Sequence, residues 1–325
     1  MEWASNGPAM RPPPWSRNSR LADLAASGLI RASAYGVLLL LALIFIFIGK
    51  EALPVLQGGE EVGLSRLFLA RQHEPDEPPR HVWQPVSDAP KYSLIPLLIG
   101  TIKVTLVALF MAIPLGLGAA IYTSEFAPGW IREWIKPAIE VLAGIPSVVI
   151  GFFALMVMAT WFKEAFGTVY RLNALVAGAA LGLAVIPIVF TVAEDALNAV
   201  PRSYRDGSLA MGASTWQTAW RVVLPGAFPG IFAACILGLG RAVGETMIVL
   251  MASGNAAVMN WDPTRGLRTL SATVAAEMGE VVHGSPHYHV LFFIGALLFT
   301  LTFALNLVAH WWTARLRRRL GGESA

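Results

Sequence analysis

Gly230–Met251 reads GIFAACILGLGRAVGETMIVLM, an apolar run broken by two charges, Arg241 and Glu245. About 20 apolar residues suffice to cross the hydrocarbon core of a bilayer as a helix. Charges inside such a run are costly in lipid, so they must face protein, water or each other. At a spacing of four, Arg241 and Glu245 share a helix face and can pair. If the segment enters the membrane near Gly230, Arg241 lies about 16 Å along it, close to mid-bilayer.

The rest of the chain agrees with a membrane setting. Of 325 residues, 55% are hydrophobic and only 14% charged, with a mean hydropathy of +0.59. A soluble domain carries about 25% charged residues. The net charge of +3 is too small and too unevenly placed to mark nucleic-acid binding, and a single cysteine, Cys235, cannot form an internal disulfide. The first apolar run begins after a polar, Pro- and Arg-rich stretch and ends at Gly49-Lys50-Glu51, which is not the pattern of a cleaved signal peptide.

Apolar segments at roughly 32–49, 94–121, 138–161, 173–193, 229–252 and 290–312 predict an all-α polytopic membrane protein with six transmembrane helices. With the N-terminus inside, the inner flanks hold 13 Lys and Arg and the outer flanks 9, five of the latter in one long loop. Long loops weigh little in this rule, so both termini are expected on the cytoplasmic side. The Arg-rich end after Trp311-Trp312 points the same way. The expected organisation is a cytoplasmic tail 1–31, a first transmembrane helix 32–49, an extracytoplasmic loop 50–93, a five-helix core 94–312 and a basic cytoplasmic tail 313–325. The Pro- and charge-rich outer loop is expected to be partly ordered against the bundle. Within the core lies an inner hydrophilic loop, 194–228. There Glu194–Val200 is amphipathic, Pro201 opens a helix that ends near Gly212, and a further short helix, 215–223, stops at Leu224-Pro225.

Smaller signals carry chemistry as well. Gly144-Ile145-Pro146-Ser147, with Pro114 and Pro187 in neighbouring segments, predicts helix interruptions inside the membrane. Such breaks survive only where protein or a water-filled path satisfies the backbone; simple kinking for packing is the alternative. Ser147 can donate a hydrogen bond into such a path. Gly240 and Gly244 have the spacing of close helix approach. A mid-membrane guanidinium such as that of Arg241 offers a planar fork of donors suited to tetrahedral oxyanions. Glu245 can hold it until an anion arrives, or the two can form a static pair that locks packing. Glu125 and Glu133 are expected to face solvent. His283, His287 and His289 cluster near the last segment without a complete ligand set, so no metal site is assigned. No Gly-x-x-x-x-Gly-Lys-Ser/Thr sequence occurs, so any ATP must be used by a partner.

The inner loop reads Asp206-Gly207-Ser208-Leu209-Ala210-Met211-Gly212 and then Val222-Val223-Leu224-Pro225. It resembles the coupling loop of ABC-importer permeases: the acidic position, Gly212, Val222, Leu224 and Pro225 fall in register. Two alanines of that pattern are replaced by the small residues Gly207 and Ser208. Leu115–Gly118, Ser124–Trp130, Leu142–Gly151, Gly238–Met247, Gly254-Asn255 and Glu277–Glu280 extend the likeness over about 92–320. Together they resemble the PstC-type permease subunits of phosphate-specific importers. That resemblance implies a type I ABC-importer (MetI-like) core in the cytoplasmic (inner) membrane and lipid as its solvent. It also implies a second, related permease of PstA type, an ATPase dimer of PstB type docking on loop 194–228, and a phosphate-binding protein of PstS type. This chain itself would bind no cofactor, the ATP and Mg being used by the ATPase. A permease for sulfate, molybdate or phosphonate stays open at this point, as do an ATP-independent transporter and a membrane sensor.

Overall fold

The computed structural model describes residues 16–58, 62–72 and 78–320, and the side chains of 22–58, 62–72 and 78–315. Residues 1–15 of the expected N-terminal tail and 321–325 of the basic tail lie outside the described residues, as do the side chains of Arg17, Arg20 and Arg317–Arg319. The chain divides into two units, Met1–Lys50 and Glu51–Ala325. The first unit is helical from Ser16, the start of α1 (Ser16–Gln57), and its apolar side chains, Leu39, Ile44 and Ile46 among them, are exposed. A helix that is apolar around its circumference is at home in lipid.

The second unit is built around α7 (Ala174–Asn198), in which seventeen residues are buried. Asn173 starts it, its side-chain oxygen accepting from the Val176 amide at 3.1 Å. Small residues let its neighbours approach closely, the usual means of helix packing in membranes. α3 (Ile95–Ile121) passes so near that a Cβ on Gly178 would lie 2.4 Å from Val107 Cγ1. α10 (Leu224–Gly244) crosses the other side, where a Cβ on Gly230 would sit 2.3 Å from Ala196 Cβ. The Gly240/Gly244 pair does not serve this purpose: nothing lies within 4 Å of a Cβ on Gly244, and Gly238, 2.9 Å from Val189, is the close contact instead.

Six described helical stretches are long and apolar enough to span a membrane: Ala22–Gln57, Ile95–Phe126, Ser147–Phe166, Ala174–Asn198, Thr215–Gly244 and Pro286–Arg315. The number matches the sequence expectation, but two boundaries move. Segment 138–161 is broken at Ile145-Pro146. Before the break lies α4 (Gly129–Gly144), an amphipathic helix with no buried residue. After it, α5 (Ser147–Phe153) runs through a π turn into α6 (Ala159–Phe166). Segment 229–252 is broken at Glu245-Thr246, and α11 (Met247–Ala252) follows. The interruptions expected at Pro114 and Pro187 do not form; both prolines sit inside continuous helices. A lone proline removes one backbone bond, and packing between α3 and α7, with Gly116 against Val189, holds the helices through it. At 144–147, glycine and the extended pre-proline residue Ile145 act together.

The loop expected at 194–228 is more helical than its sequence pattern suggests. α7 continues to Asn198, and α8 (Arg202–Ala210) follows Pro201 as expected. α9 (Thr215–Thr218) does not stop at Leu224-Pro225. It passes through a π turn, Ala219–Val223, straight into α10. A proline clashes with the carbonyl four residues back, and the wider π turn moves that carbonyl aside. At the opposite end of this unit, α2 (Leu64–Phe68) and a two-residue antiparallel pair, β1 (Trp83–Gln84) with β2 (Lys91–Tyr92), order much of the outer loop. Leu67, Trp83 and Tyr92 pack into one core with Leu270 of α12 (Leu270–Glu277) and Leu291 of α13 (Pro286–Leu320).

Candidate functional site: a transport path and its coupling loop

Arg241 lies in the last turn of α10 and is exposed. Its Nε donates to the carbonyl of Ala184 at 3.2 Å. Ala184 is near the middle of α7, and the Leu183 carbonyl beside it lacks its usual donor because residue 187 is proline. The guanidinium is thus held level with the centre of the bundle, with most of its donor fork free. Glu245 is not its partner: among the described residues no ion pair within 4.0 Å joins the two. The cause is the helix end at Gly244, which takes Glu245 off the helical face. The Glu245 carbonyl is tied instead to Ser271 Oγ at 2.7 Å.

The two breaks are neighbours. α5 packs along α11, a Cβ on Gly151 falling 3.1 Å from Met251 Sδ and 3.2 Å from the Met247 carbonyl. Ser147 opens α5, half-buried, at the first break. No hydrogen bond joins it to Arg241 among the described residues.

Lys103 was hidden in segment 94–121, although its charge in an apolar run is the same signal that marks Arg241. It is 4% exposed and donates to the carbonyls of Asn260 (2.9 Å) and Asp262 (3.1 Å), tacking the loop before α12 onto α3. That loop closes tightly on α3, since a Cβ on Gly100 would overlap the Arg268 carbonyl at 2.1 Å. Hydrogen bonds from Thr264 hold the Asp262 carboxyl below its ordinary range.

At the α8 end, Asp206 and Gly207 are exposed, Ser208 is buried, and Ser208 Oγ lies 3.0 Å from Thr218 Oγ1, joining α8 to α9. Gly212 turns the chain between them at φ +86°, a left-handed conformation that glycine adopts without steric cost. Ser214 and Gln217 cap α9 reciprocally. Val222 is half-buried and Leu224 and Pro225 begin α10. Exposed Tyr204, Met211, Trp216 and Trp220 give this face an apolar surface. Glu125 does not face solvent as expected: its side chain is 7% exposed and carries Arg205 Nη2 at 2.8 Å. Glu133 is exposed.

At the other end, the histidines take separate partners. His287 Nε2 lies 3.2 Å from Glu277 Oε2, His289 Nδ1 lies 2.8 Å from the Glu51 carbonyl, and His283 packs on Tyr288. Arg268 Nη1 and Trp83 Nε1 also reach Glu277, at 2.8 and 3.2 Å. Burial pushes the Glu277 carboxyl up, but the bonds from His287 and Trp83 and the charge of Arg268 outweigh it, and the net shift is down.

Residues 112–322 match the model of a family described as binding-protein-dependent transport system inner membrane component. The chain belongs to this family. A probable ABC transporter permease, YqgH, of Bacillus subtilis is 35% identical over 72% of this chain and 75% of its own length. The phosphate transport system permease protein PstC of Xylella fastidiosa (strain Temecula1) is 30% identical over 88% of this permease and 92% of its own length. Among solved structures, an inward-facing MetNI methionine ABC transporter gives a TM-score of 0.55 at 20% identity, covering 69% of this permease and 96% of that chain. A bacterial alginate ABC transporter in complex with a pentasaccharide-bound periplasmic protein gives 0.56 at 14% identity, covering 96% and 99%. These likenesses establish the MetI-type helical fold for this permease.

Proposed function

We propose that this permease is one half of the membrane pathway of an ATP-driven importer of inorganic phosphate. The observation that carries the anion reading is Arg241, a guanidinium with no carboxylate partner among the described residues, exposed level with the middle of α7. Its fork of donors matches a tetrahedral oxyanion and stays charged at any relevant pH. The choice of phosphate is supported by the PstC relatives. In this reading both termini and α8–α9 face the cytoplasm. Two ATPase subunits dock on the coupling loops, with a PstA-type permease as the other half and a phosphate-binding protein outside.

ATP and Mg belong to the ATPase, whose closure pulls on α8. Phosphate released from the binding protein passes Arg241 and Ser147 at the breaks. Contact there is brief, because a pathway must release what it accepts. Glu245, fixed by its backbone beside the second break, sets the negative side of that path and keeps the anion toward Arg241.

Labelled uptake tests this. The permease and its partner subunits are expressed in a host lacking its own phosphate permease, and phosphate, sulfate and molybdate are offered separately. Uptake of phosphate alone is expected, lost on Arg241→Gln. Uptake of another anion instead overturns the phosphate assignment, and no uptake despite normal membrane levels overturns the transport reading.

A further inference from the structure

A second basic feature lies at the α8 end, far along the chain from Arg241. A cavity of about 460 Å³ opens between the π turn Tyr122–Phe126, α4, the end of α7 and α8. Four cations and two carboxylates line it. Each carboxylate is already matched: Glu125 by Arg205 at 2.8 Å, and Glu194 by Lys136 at 2.8 Å with Asn198 Nδ2 donating at 3.0 Å. Two cations remain in excess. Arg132 spends Nε and Nη2 on the carbonyls of Thr123 and Ser124, at 3.0 Å each, and keeps Nη1; its charge also bears on Glu125 from farther off. Arg202, at the start of α8, is exposed and makes no hydrogen bond or ion pair among the described residues.

We propose that this cavity binds a phosphate group, held between Arg132 and Arg202. Two guanidiniums on separate elements, with the local carboxylates neutralised, form a clamp for a dianion or a phosphodiester. The volume admits a phosphate with its substituent. Two sources share that chemistry. One is the headgroup of an anionic lipid: Trp130 and Trp134 of α4 are exposed, and tryptophan favours the membrane interface. The other is free phosphate. Because one wall is α8, occupancy braces the coupling loop against α4. The site is separate from the pathway at Arg241 and does not depend on phosphate being the transported ion.

The full chain is purified in a neutral detergent and tested in two arms. Native mass spectrometry reads retention of phosphatidylglycerol against phosphatidylcholine, and equilibrium dialysis reads binding of labelled inorganic phosphate. Binding in at least one arm is expected, weakened about tenfold by Arg202→Gln and by Arg132→Gln, as for losing a charge-assisted bond. Arg221→Gln, which removes the same charge from an exposed position outside the cavity, is expected to leave it unchanged. Arg202 makes no structural bond, so its substitution reads the site without threatening the fold. Lipid retention alone assigns a headgroup, and phosphate binding alone assigns the free ion. Absence of both, or equal binding by Arg202→Gln and Arg221→Gln, overturns the proposal.

Discussion

Arg205 of α8 grips Glu125 at the end of the second spanning helix with two bonds, Nη2 to Oε1 at 2.8 Å and Nε to Oε2 at 3.2 Å. The same guanidinium donates to the carbonyls of Leu197 and Val200 at the end of α7, at 2.8 and 2.5 Å. One side chain therefore ties α8 to two membrane helices. Displacing α8 has to move α3 and α7 or break this node.

Removing one partner of a buried ion pair strands the other charge, at a cost on the order of 3 kcal/mol. Arg205→Ala is expected to lower thermal stability by about that much and to uncouple the assembled transporter: basal ATP hydrolysis persists while uptake falls. The exchange Glu125→Arg with Arg205→Glu is expected to restore part of the uptake that either single change removes. A double-mutant cycle on uptake and melting temperature reads the coupling, and additive effects would rule out the tie.

Gly207 and Gly212 are expected to respond differently to alanine. Gly207 is inside α8, with a negative φ and nothing within 4 Å of an added Cβ. Alanine there is expected to be neutral or to stabilise by about 0.5–1 kcal/mol. Gly212 also has open space but stands at φ +86°, where a Cβ costs roughly 1–2 kcal/mol. ATPase co-purification is expected to survive Gly207→Ala and weaken with Gly212→Ala. Equal behaviour would mean that the turn is not what docks.

The number of spanning helices and the α8–turn–α9 loop were legible because each rests on local signals: apolar length, proline, glycine and cap residues. Arg241 was legible because it and Glu245 put two charges one turn apart in an apolar run, whereas Lys103, a single charge in such a run, passed unread. The partner of Arg241 was not legible. Pairing with Glu245 presumed a helix through 245, but the helix ends at Gly244 and Glu245 is extended, a stop that Gly244 alone did not make evident inside so apolar a run. The same holds for Glu125, which reads as a solvated acid until a residue 80 positions away supplies its counter-ion. Prolines 114 and 187 mislead in the opposite sense, since tertiary contacts hold helices that the local chemistry would break.

Glu277 ties the β1–β2 loop, through Trp83, to Arg268 and His287. Its folded-state carboxyl sits below the ordinary value of 4.5. A depressed pKa gives stability that is fully present above the unfolded value and is lost as pH falls through the folded one. The melting temperature of the purified chain is therefore expected to drop as acid protonates this carboxylate. Glu277→Gln is expected to cost about 1.5–3 kcal/mol at neutral pH, the worth of bonds to a charged group, and to flatten that acid limb. An unchanged limb in the variant would place the titration elsewhere.

Arg241 is expected to act in transport and not in holding the fold. Among the described residues it makes one side-chain bond, 3.2 Å to the Ala184 carbonyl, and it is exposed. Arg241→Gln should thus leave the melting temperature nearly unchanged while maximal uptake is lost. Arg241→Lys keeps the charge but not the planar fork, so uptake is expected to fall only partly. The substrate concentration for half-maximal uptake is expected to hold in the lysine variant if, as proposed, a binding protein delivers the substrate. Because no ion pair joins Arg241 to Glu245, combining Arg241→Lys with Glu245→Gln is expected to give additive losses of stability. A static pair locking two helices predicts the reverse pattern: a large stability loss in either single variant, non-additive in the double, and uptake retained by whatever protein still folds.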